Sequence, residues 1–379
     1  MTEEEFVASV GPDHPAVAAL EERIGIAEAA VLDATTLDAP EVAVAREDPS
    51  GDGARGVEQL DLTVAWELPR RSRRATIEAA QIRAKAARST TRLDGLALRS
   101  ELRAAFAEWA IATEETRILS EHAERLEALS ARETRRAQRG EVPGLSARRL
   151  ELAAAEARSS LALARAEAEA ARRVAAGWSP TLAQGHPVLP PVPQPPDAAN
   201  LATVGAHPRL VVIEQQLEAA RLEGQAARRL EALPELIAGW QRQDDGVASL
   251  DGPLIGISWR LPLVDPNRGA RAEAAARVAG AQARLEQARR ALHAEREAAV
   301  GSLRVLLEAL VAARESAAAV EPLITGTVRA FELGEVEVLE LLDVLRSVAD
   351  ANSSVLELEE AAFAADRRLD LLAASSSSP

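Results

Sequence analysis

The sequence predicts a mainly α-helical protein with a small β part, built from a duplicated unit of two short strands followed by a long helical hairpin. The evidence is a set of three landmarks that recur in the same order at offsets of 193 or 194 residues. A period this long exceeds the repeats of solenoid proteins, so a whole substructure is duplicated. The paired landmarks are His14-Pro15 with His207-Pro208, the segment 64–69 with 257–262, and Gly140-Glu141-Val142 with Gly334-Glu335-Val336.

Composition supports long helices and excludes several classes of protein. The chain has 379 residues, of which 47% are hydrophobic but only 2% aromatic. Such a chain, rich in Ala, Leu, Glu and Arg, is typical of coiled coils. A formal net charge of −15 disfavours nucleic acid as a partner, because phosphate binding needs a basic surface. Without Cys, disulfides, thiolate metal sites and an acylated Cys are excluded.

Targeting signals are missing from the sequence as given. The first five residues lack the basic region and the apolar run of a signal peptide. No stretch approaches the roughly 20 apolar residues of a spanning helix. These observations predict either a cytoplasmic chain or a mature chain from which a leader has been removed.

The first repeat begins with a helix and a β-hairpin. Apolar residues at spacings of three and four predict an amphipathic helix from Pro15 to about Leu37, with Asp13 as its N-cap. Short alternating segments predict strands over 40–46 and 57–68, separated by the turn-rich stretch 48–53.

A long helical hairpin completes the first repeat. From about Arg71 to Arg139 there is no Pro and one Gly, which predicts a helix about 100 Å long at 1.5 Å per residue. Gly140 and the Pro143-Gly144 pair end it, and a second helix is predicted over 145–176.

The second repeat has the same order of elements and follows an extended, Pro-rich linker. Helices are predicted over 208–230 and 270–333, with a last helix ending near Leu372. Strands are predicted over 236–240 and 254–261, with 243–246 as the turn. Along the last helix a heptad trace runs through Val338, Leu345, Asn352 and Glu359, so its seam is partly polar.

The predicted organisation is therefore two repeats and a linker. The first repeat covers 1–179, with its β-hairpin at 40–69 and its tip at 139–144. A linker covers 180–199. The second repeat covers 200–372, with its β-hairpin at 234–263 and its tip near 333–336, and 373–379 form a disordered tail.

The strands have one apolar and one polar face. Four strands per chain are too few for a closed barrel, which needs about eight, so two or three chains would have to combine. A lipid-facing surface is one interpretation, and a soluble β-hairpin capping a helical bundle is the other. The residues predicted to face lipid are Leu60, Leu62, Val64, Trp66, Ile255, Ile257 and Trp259.

The ordered set of motifs resembles the TolC-type outer membrane efflux proteins. The resemblance covers about Asp13 to Leu372 and rests on the His-Pro starts, on Pro40-Glu41 and Pro234-Glu235 at strand entry, and on the Trp-x-Leu-Pro strand ends. The two Gly-Glu-Val breaks and the segment 339–345 complete it. The segment 261–269 further resembles the cobalt-zinc-cadmium resistance branch.

This resemblance implies a long coiled-coil α-barrel with a β-barrel completed by trimerisation. It implies an outer membrane location, with the helices in the periplasm, and as partners outer membrane lipid, a periplasmic adaptor (membrane fusion protein) and an inner-membrane pump. The missing signal peptide and the scarcity of aromatic residues depart from the family pattern.

The resemblance also implies roles for residues at the tips. The resemblance implies that an adaptor docks on Gly140, Glu141 and Val142 and on Gly334, Glu335 and Val336. The alternative is that Gly140 and Gly334 only cap their helices, which requires no partner protein. Glu340 and Asp343 share a helix face and match the family's acidic constriction, where rings of carboxylates would favour cations. The alternative is two solvated charges.

No motif for catalysis, a cofactor or a metal site is present. The resemblance implies a passive export duct of a tripartite efflux system, and the sequence offers no motif of an enzyme. The alternative is a soluble helical coiled-coil scaffold or adaptor with a small β cap.

Overall fold

The computed structural model describes residues 1–379 except 38, 48–57, 68–71, 181–183, 195–206, 229–233, 245–246, 259–267 and 374–379. Its helices are α1 (Glu3–Ala8), α2 (Pro15–Thr35), α3 (Arg73–Gln138), α4 (Gly144–Trp178), α5 (Pro208–Arg228), α6 (Arg268–Leu333) and α7 (Val338–Ala373). Its strands are β1 (Glu41–Glu47), β2 (Glu58–Glu67), β3 (Glu235–Asp244) and β4 (Ser249–Ser258). The predicted mainly α fold with a small β part is confirmed.

The order of elements is the same in both halves of the chain: helix, two strands, long helix, shorter helix. Contacts nevertheless group the residues differently, into two compact units that each take segments from both halves. The first unit comprises Met1–Leu20, Arg92–Pro208 and Arg289–Pro379, and the second comprises Glu21–Thr91 and Arg209–Ala288. The repeat and linker boundaries read from the sequence stay predictions. Of the predicted tail, only Ala373 lies among the described residues, and it ends α7.

The two long helices form where the sequence lacks strong breakers. Both α3 and α6 contain 66 residues. Helix α6 continues through Pro322, although proline lacks the N–H that a helix interior uses. Each long helix ends at a glycine with positive φ, as described below.

The first unit is held by coiled-coil packing of α3, α4, α6 and α7. Buried residues of α4 recur at alternating spacings of three and four, the pattern that keeps one stripe facing neighbouring helices. Leu150 of α4 and Leu341 of α7 are fully buried in the shared core. Other members of this core are Ala154, Ala157, Leu161, Ile324, Phe331, Val338, Leu345 and Val348.

The heptad trace of α7 has the expected polar interruption. Val338, Leu345 and Glu359 are buried, and Asn352 is half-buried. The Glu359 carboxylate accepts a hydrogen bond from Arg314 of α6. The buried negative charge is therefore paired with an arginine.

Helix α1 was not expected from the sequence. Thr2 and Glu5 form a capping box, in which the Glu5 N–H lies 3.3 Å from the Thr2 hydroxyl and the Thr2 N–H lies 2.8 Å from the Glu5 carboxylate. The helix buries Phe6 completely against Phe106, with ring centroids 5.6 Å apart. The Thr-x-x-Glu spacing was the available signal.

The second unit contains one antiparallel sheet in the order β1-β2-β3-β4. The hairpins β1–β2 and β3–β4 come from the two halves, and β2 joins them by pairing with β3. Strand β3 continues to Asp244, and β4 begins at Ser249. The predicted turn is therefore wrong at Gln243 and Asp244, and its other two residues lie outside the described residues. The predicted start of the last strand at Leu254 is also wrong, because pairing extends this hairpin past its apolar residues.

Helix α2 begins at Pro15, as predicted, and ends at Thr35, close to the expected end at about Leu37. Its cap differs from expectation. His14, and not Asp13, caps it: the His14 Nδ1 accepts from the Ala16 N–H at 3.2 Å, while the His14 carbonyl accepts from Ala18 at 3.0 Å. The ring nitrogen thus serves one of the unpaired N–H groups of the first turn.

Candidate functional site

The two helix-hairpin tips lie in the first unit and have the same backbone construction. Gly140 has φ +72° and Gly334 has φ +78°, the left-handed conformation that side chains with a Cβ disfavour. At the first tip the Gly140 N–H donates to the Ala137 carbonyl at 3.0 Å, and the Glu141 N–H donates to the Arg136 carbonyl at 3.0 Å. This pair of bonds is a Schellman motif, which satisfies carbonyls left free at a helix end.

The second tip repeats that motif. The Gly334 N–H donates to Phe331 at 3.1 Å, and the Glu335 N–H donates to Ala330 at 2.9 Å. Each glycine is therefore required by the turn itself, since adding a Cβ would meet no nearby atom at either position and the positive φ alone is the obstacle.

The side chains around the two tips carry opposite charge. The segment 132–150 contains six arginines and two glutamates, a formal charge of +4, whereas the matching segment 326–344 contains one arginine and five carboxylates, a formal charge of −4. We name these the basic tip (132–150) and the acidic tip (326–344).

The two predicted docking glutamates have different surroundings. In the basic tip, Glu141 lies between arginines, 3.4 Å from Arg139 and 3.7 Å from Arg136. The corresponding neighbours of Glu335 are Leu333 and Ala330, so arginines do not bracket it. Glu335 is exposed, and Val142 and Val336 are half-buried at the turns.

Glu340 and Asp343 lie in the acidic tip on one side of α7. Glu340 is in the first turn of the helix, where the N–H groups and the helix dipole favour a carboxylate. Both side chains are exposed, and the side chain of neither forms an ion pair among the described residues. Their side chains are therefore free to face solvent or another chain.

The tips are joined to each other within the first unit. Arg132 of the basic tip contacts Glu332 of the acidic tip, and Arg346 of α7 lies 3.6 Å from Glu156 of α4. Beneath them, Leu126 and Leu150 pack in one core with Phe331 and Leu341. Shared packing of this kind fixes the position of one tip relative to the other.

The sheet of the second unit places the predicted lipid-facing residues on a single face. Across the four strands, Val44, Leu62, Trp240 and Pro253 stand opposite one another, as do Val42, Val64, Ala238 and Ile255. Most of these apolar side chains are exposed, Ile255 by 86%. Trp259 lies outside the described residues. We name this surface the apolar sheet face.

The opposite face of the sheet is mixed, with more polar and small residues. It carries Gln59, Asp61, Thr63, Gly239, Gln241, Gln243 and Gly256 together with the apolar Ile237, Leu250 and Leu254. The Gln243 amide donates to Gln59 at 3.2 Å, and the Gln59 amide donates to Asp61 at 2.8 Å. The two faces thus differ most clearly in β2, where apolar Leu62, Val64 and Trp66 alternate with Asp61, Thr63 and Ala65.

No helix in the described part of the chain is long and apolar enough to cross a bilayer. In the same part of the chain, no group of three or more His, Cys, Asp or Glu side chains is arranged to hold a metal ion.

Comparison with protein-family models gives no match, and comparison with curated proteins gives none. Solved structures do match over almost the whole chain. A membrane protein from Pseudomonas aeruginosa superposes with a TM-score of 0.81 at 18% identity, covering 98% of this chain and 92% of that one. The chain has the TolC-type fold.

Two further structures with this fold are channels. The Campylobacter jejuni CmeC outer membrane channel has a TM-score of 0.80 at 12% identity, covering 100% of this chain and 87% of that one. CusC, which is described as forming a transmembrane channel, has a TM-score of 0.76 at 16% identity, covering 98% and 92%. Identity is low in every case, so the cobalt-zinc-cadmium branch stays a prediction.

Proposed function

We propose that this chain forms the outer membrane duct of a tripartite efflux system and passively exports substrates that an inner-membrane pump delivers. The observation that carries the proposal is the four-stranded sheet. One face is apolar from Leu62 to Trp66 and at their cross-strand partners, the other face is more polar, and two strands lie at the edges. In lipid the backbone groups of a sheet edge need partners, so the free edges of β1 and β4 require other strands. Three chains would supply twelve strands for one barrel.

A second surface supports assembly into a homotrimer. Helix α4 has its buried stripe on one side, but Leu145, Leu152, Leu163 and Val174 are all more than half exposed. At 100° per residue these four lie within about 40° of one another around the helix axis. A helix with two apolar stripes is expected to have neighbours on both sides, and a second copy of the chain would supply the missing one.

The tips would complete the duct at its periplasmic end. We assign adaptor docking to Gly140, Glu141 and Val142 and to Gly334, Glu335 and Val336, because both turns are exposed and built alike. Glu340 and Asp343 would form rings of carboxylates in a three-fold assembly and favour cations. The protein would provide a passage and no catalysis, as do the channel proteins that share its fold.

The alternative function, a soluble scaffold or adaptor with a β cap, has no support among the structures that share the fold. It is distinguished by substitutions on the two faces of the sheet. We expect Ile255→Arg on the apolar sheet face to cost about 2–4 kcal/mol in a bilayer and to remove the protein from the outer membrane fraction. Gln241→Arg on the polar face is the matched control and should leave membrane recovery unchanged.

The measurement is fractionation of cells that express the gene from its native start, followed by mass determination of the particle in mild detergent. A trimer in the outer membrane fraction supports the duct. Recovery of the unchanged protein and of Ile255→Arg alike in the soluble fraction would establish the scaffold function instead.

Docking can be tested because the chain contains no cysteine. A photo-crosslinker attached to Val142→Cys or Val336→Cys should join the protein to a periplasmic adaptor in intact cells, identified by mass spectrometry. Attached to Ala166→Cys, on an exposed position of α4 far along the helix from the tip, it should not. Equal capture from all three positions would contradict docking at the tips.

A further inference from the structure

A cavity of about 340 Å³ lies in the helical wall of the first unit, away from both tips. It is bounded by α3, α6 and α7 and by Leu189 of the segment that follows α4. Its volume falls in the range of about 300–1,000 Å³ that is typical of small-molecule sites. The export role uses none of its polar residues.

Most charges around the cavity are neutralised by neighbours within the protein. Arg117 lies 2.6 Å from Glu114 and also contacts Glu121, and Arg314 contacts the buried Glu359. Arg117 serves two carboxylates and Arg314 serves one, so these groups leave a formal charge of −1, which the remaining lining arginine, Arg125, offsets.

Arg125 and Asn352 differ from those pairs. Both are half-buried and line the cavity, yet neither side chain forms a hydrogen bond or ion pair with any described residue. A half-buried guanidinium with no acceptor loses hydration without a compensating bond, so an anionic acceptor would bind there favourably.

His122 adds a hydrogen-bonding group and no charge. It stands three residues before Arg125 on the same face of α3 and lines the same cavity. Burial, and then the nearby Arg125, lower the pKa of His122, although Asp350 acts in the opposite direction. The imidazole is therefore neutral at neutral pH and can donate one hydrogen bond.

The remainder of the cavity is apolar. Ile118 of α3 and Val348, Val355 and Leu356 of α7 line it together with Leu189. A bare anion such as phosphate would leave these side chains without contact. A ligand with a carboxylate at one end and an apolar body at the other would use both parts of the surface.

We propose that this cavity binds a small organic monocarboxylate, with the carboxylate at Arg125 and Asn352 and the apolar body against Ile118, Val348 and Leu356. The site is independent of the export role and would exist whether or not the chain forms a duct. The sequence placed Asn352 in the partly polar seam of the last helix and gave no role to His122. Only the packing of α3 against α7 brings them together.

The test is isothermal titration of the purified full-length assembly with benzoate, using benzamide and inorganic phosphate as reference probes. Benzamide keeps the ring and loses the charge, whereas phosphate keeps charge and loses the ring. We expect benzoate to bind at least tenfold more tightly than either. Arg125→Gln should weaken benzoate about tenfold to a hundredfold, the effect of losing one charge-assisted hydrogen bond.

Arg148→Gln, an exposed arginine outside the cavity, is the matched control and should bind benzoate normally. If Arg125→Gln does not assemble, Asn352→Ala provides the second variant and should weaken benzoate severalfold. The proposal is overturned if benzoate does not bind, or if it binds no more tightly than benzamide or phosphate. It is also overturned if the assembled cavity variants bind benzoate as well as the unchanged protein does.

Discussion

The basic tip and the acidic tip have the same backbone and opposite chemistry. Both end a 66-residue helix in a Schellman motif with a glycine at φ near +75°, with hydrogen bonds that agree within about 0.1 Å. Their charges are +4 and −4. The shared geometry shows that this turn depends on glycine and on main-chain hydrogen bonds. Exposed side chains around it are thus free to diverge after duplication.

The buried layers beneath the tips diverged as well. Leu341 in the acidic tip is fully buried, and the matching residue of the basic tip is the smaller Ala147, also buried. At the next matching pair the sizes are reversed: Leu150 of the basic tip is fully buried, and Val344 of the acidic tip is half-buried.

Leu341→Ala is expected to have the largest effect. Removing a fully buried leucine side chain should lower the free energy of unfolding by about 2–5 kcal/mol, through lost burial and a residual cavity. Leu339→Ala, at an exposed leucine two residues earlier, is the control and should change it by less than about 0.5 kcal/mol. Denaturant titration of the first unit by circular dichroism measures both. Equal losses would mean that the core does not distinguish these positions.

Substitution of the two glycines should have an intermediate and symmetric effect. Gly140→Ala and Gly334→Ala should each cost about 1–2 kcal/mol, because an alanine at positive φ is strained. Gly140→Asn and Gly334→Asn should cost less, since asparagine tolerates this conformation. Thermal unfolding compares the four variants. A loss at one tip only would show that the shared backbone motif is not what both tips depend on.

Charge substitution should have the smallest effect on stability and the most asymmetric effect on conduction. Glu340→Gln with Asp343→Asn should reduce the preference for cations in planar bilayers, because free carboxylates are removed from the acidic tip. Glu141→Gln should change it less, since arginines at 3.4 and 3.7 Å already offset that charge. Reversal potentials in a KCl gradient measure the preference.

This difference should shrink with salt, because the screening length falls from about 10 Å at 0.1 M to about 3 Å at 1 M. Unchanged selectivity at low salt in the double variant would remove Glu340 and Asp343 from the proposed constriction.

Much of the fold could be predicted from the sequence because the informative patterns are local. Glycine and proline mark the ends of α3 and α4, and alternation marks β2. Errors occurred where pairing or capping decided the outcome, as in the extension of β3 to Asp244 and the use of the His14 ring as a cap. Helix α1 was missed because its core contact, Phe6 on Phe106, joins residues 100 positions apart.

The candidate sites also differ in how far the sequence could predict them. Gly140 and Gly334 could be found from their repeat spacing, and the apolar sheet face could be read from alternation alone. The cavity at Arg125 could not, since His122 and Asn352 are remote in sequence and each has an ordinary local explanation.

Residue type and short-range periodicity are enough to establish the duplication, the long helices, the position of both turns and the opposite charge of the tips. The tertiary structure alone decided that β2 pairs with β3, that contacts group segments from both halves, and that α3 and α7 enclose a cavity. Those outcomes depend on packing between distant segments, whose geometry no local pattern specifies.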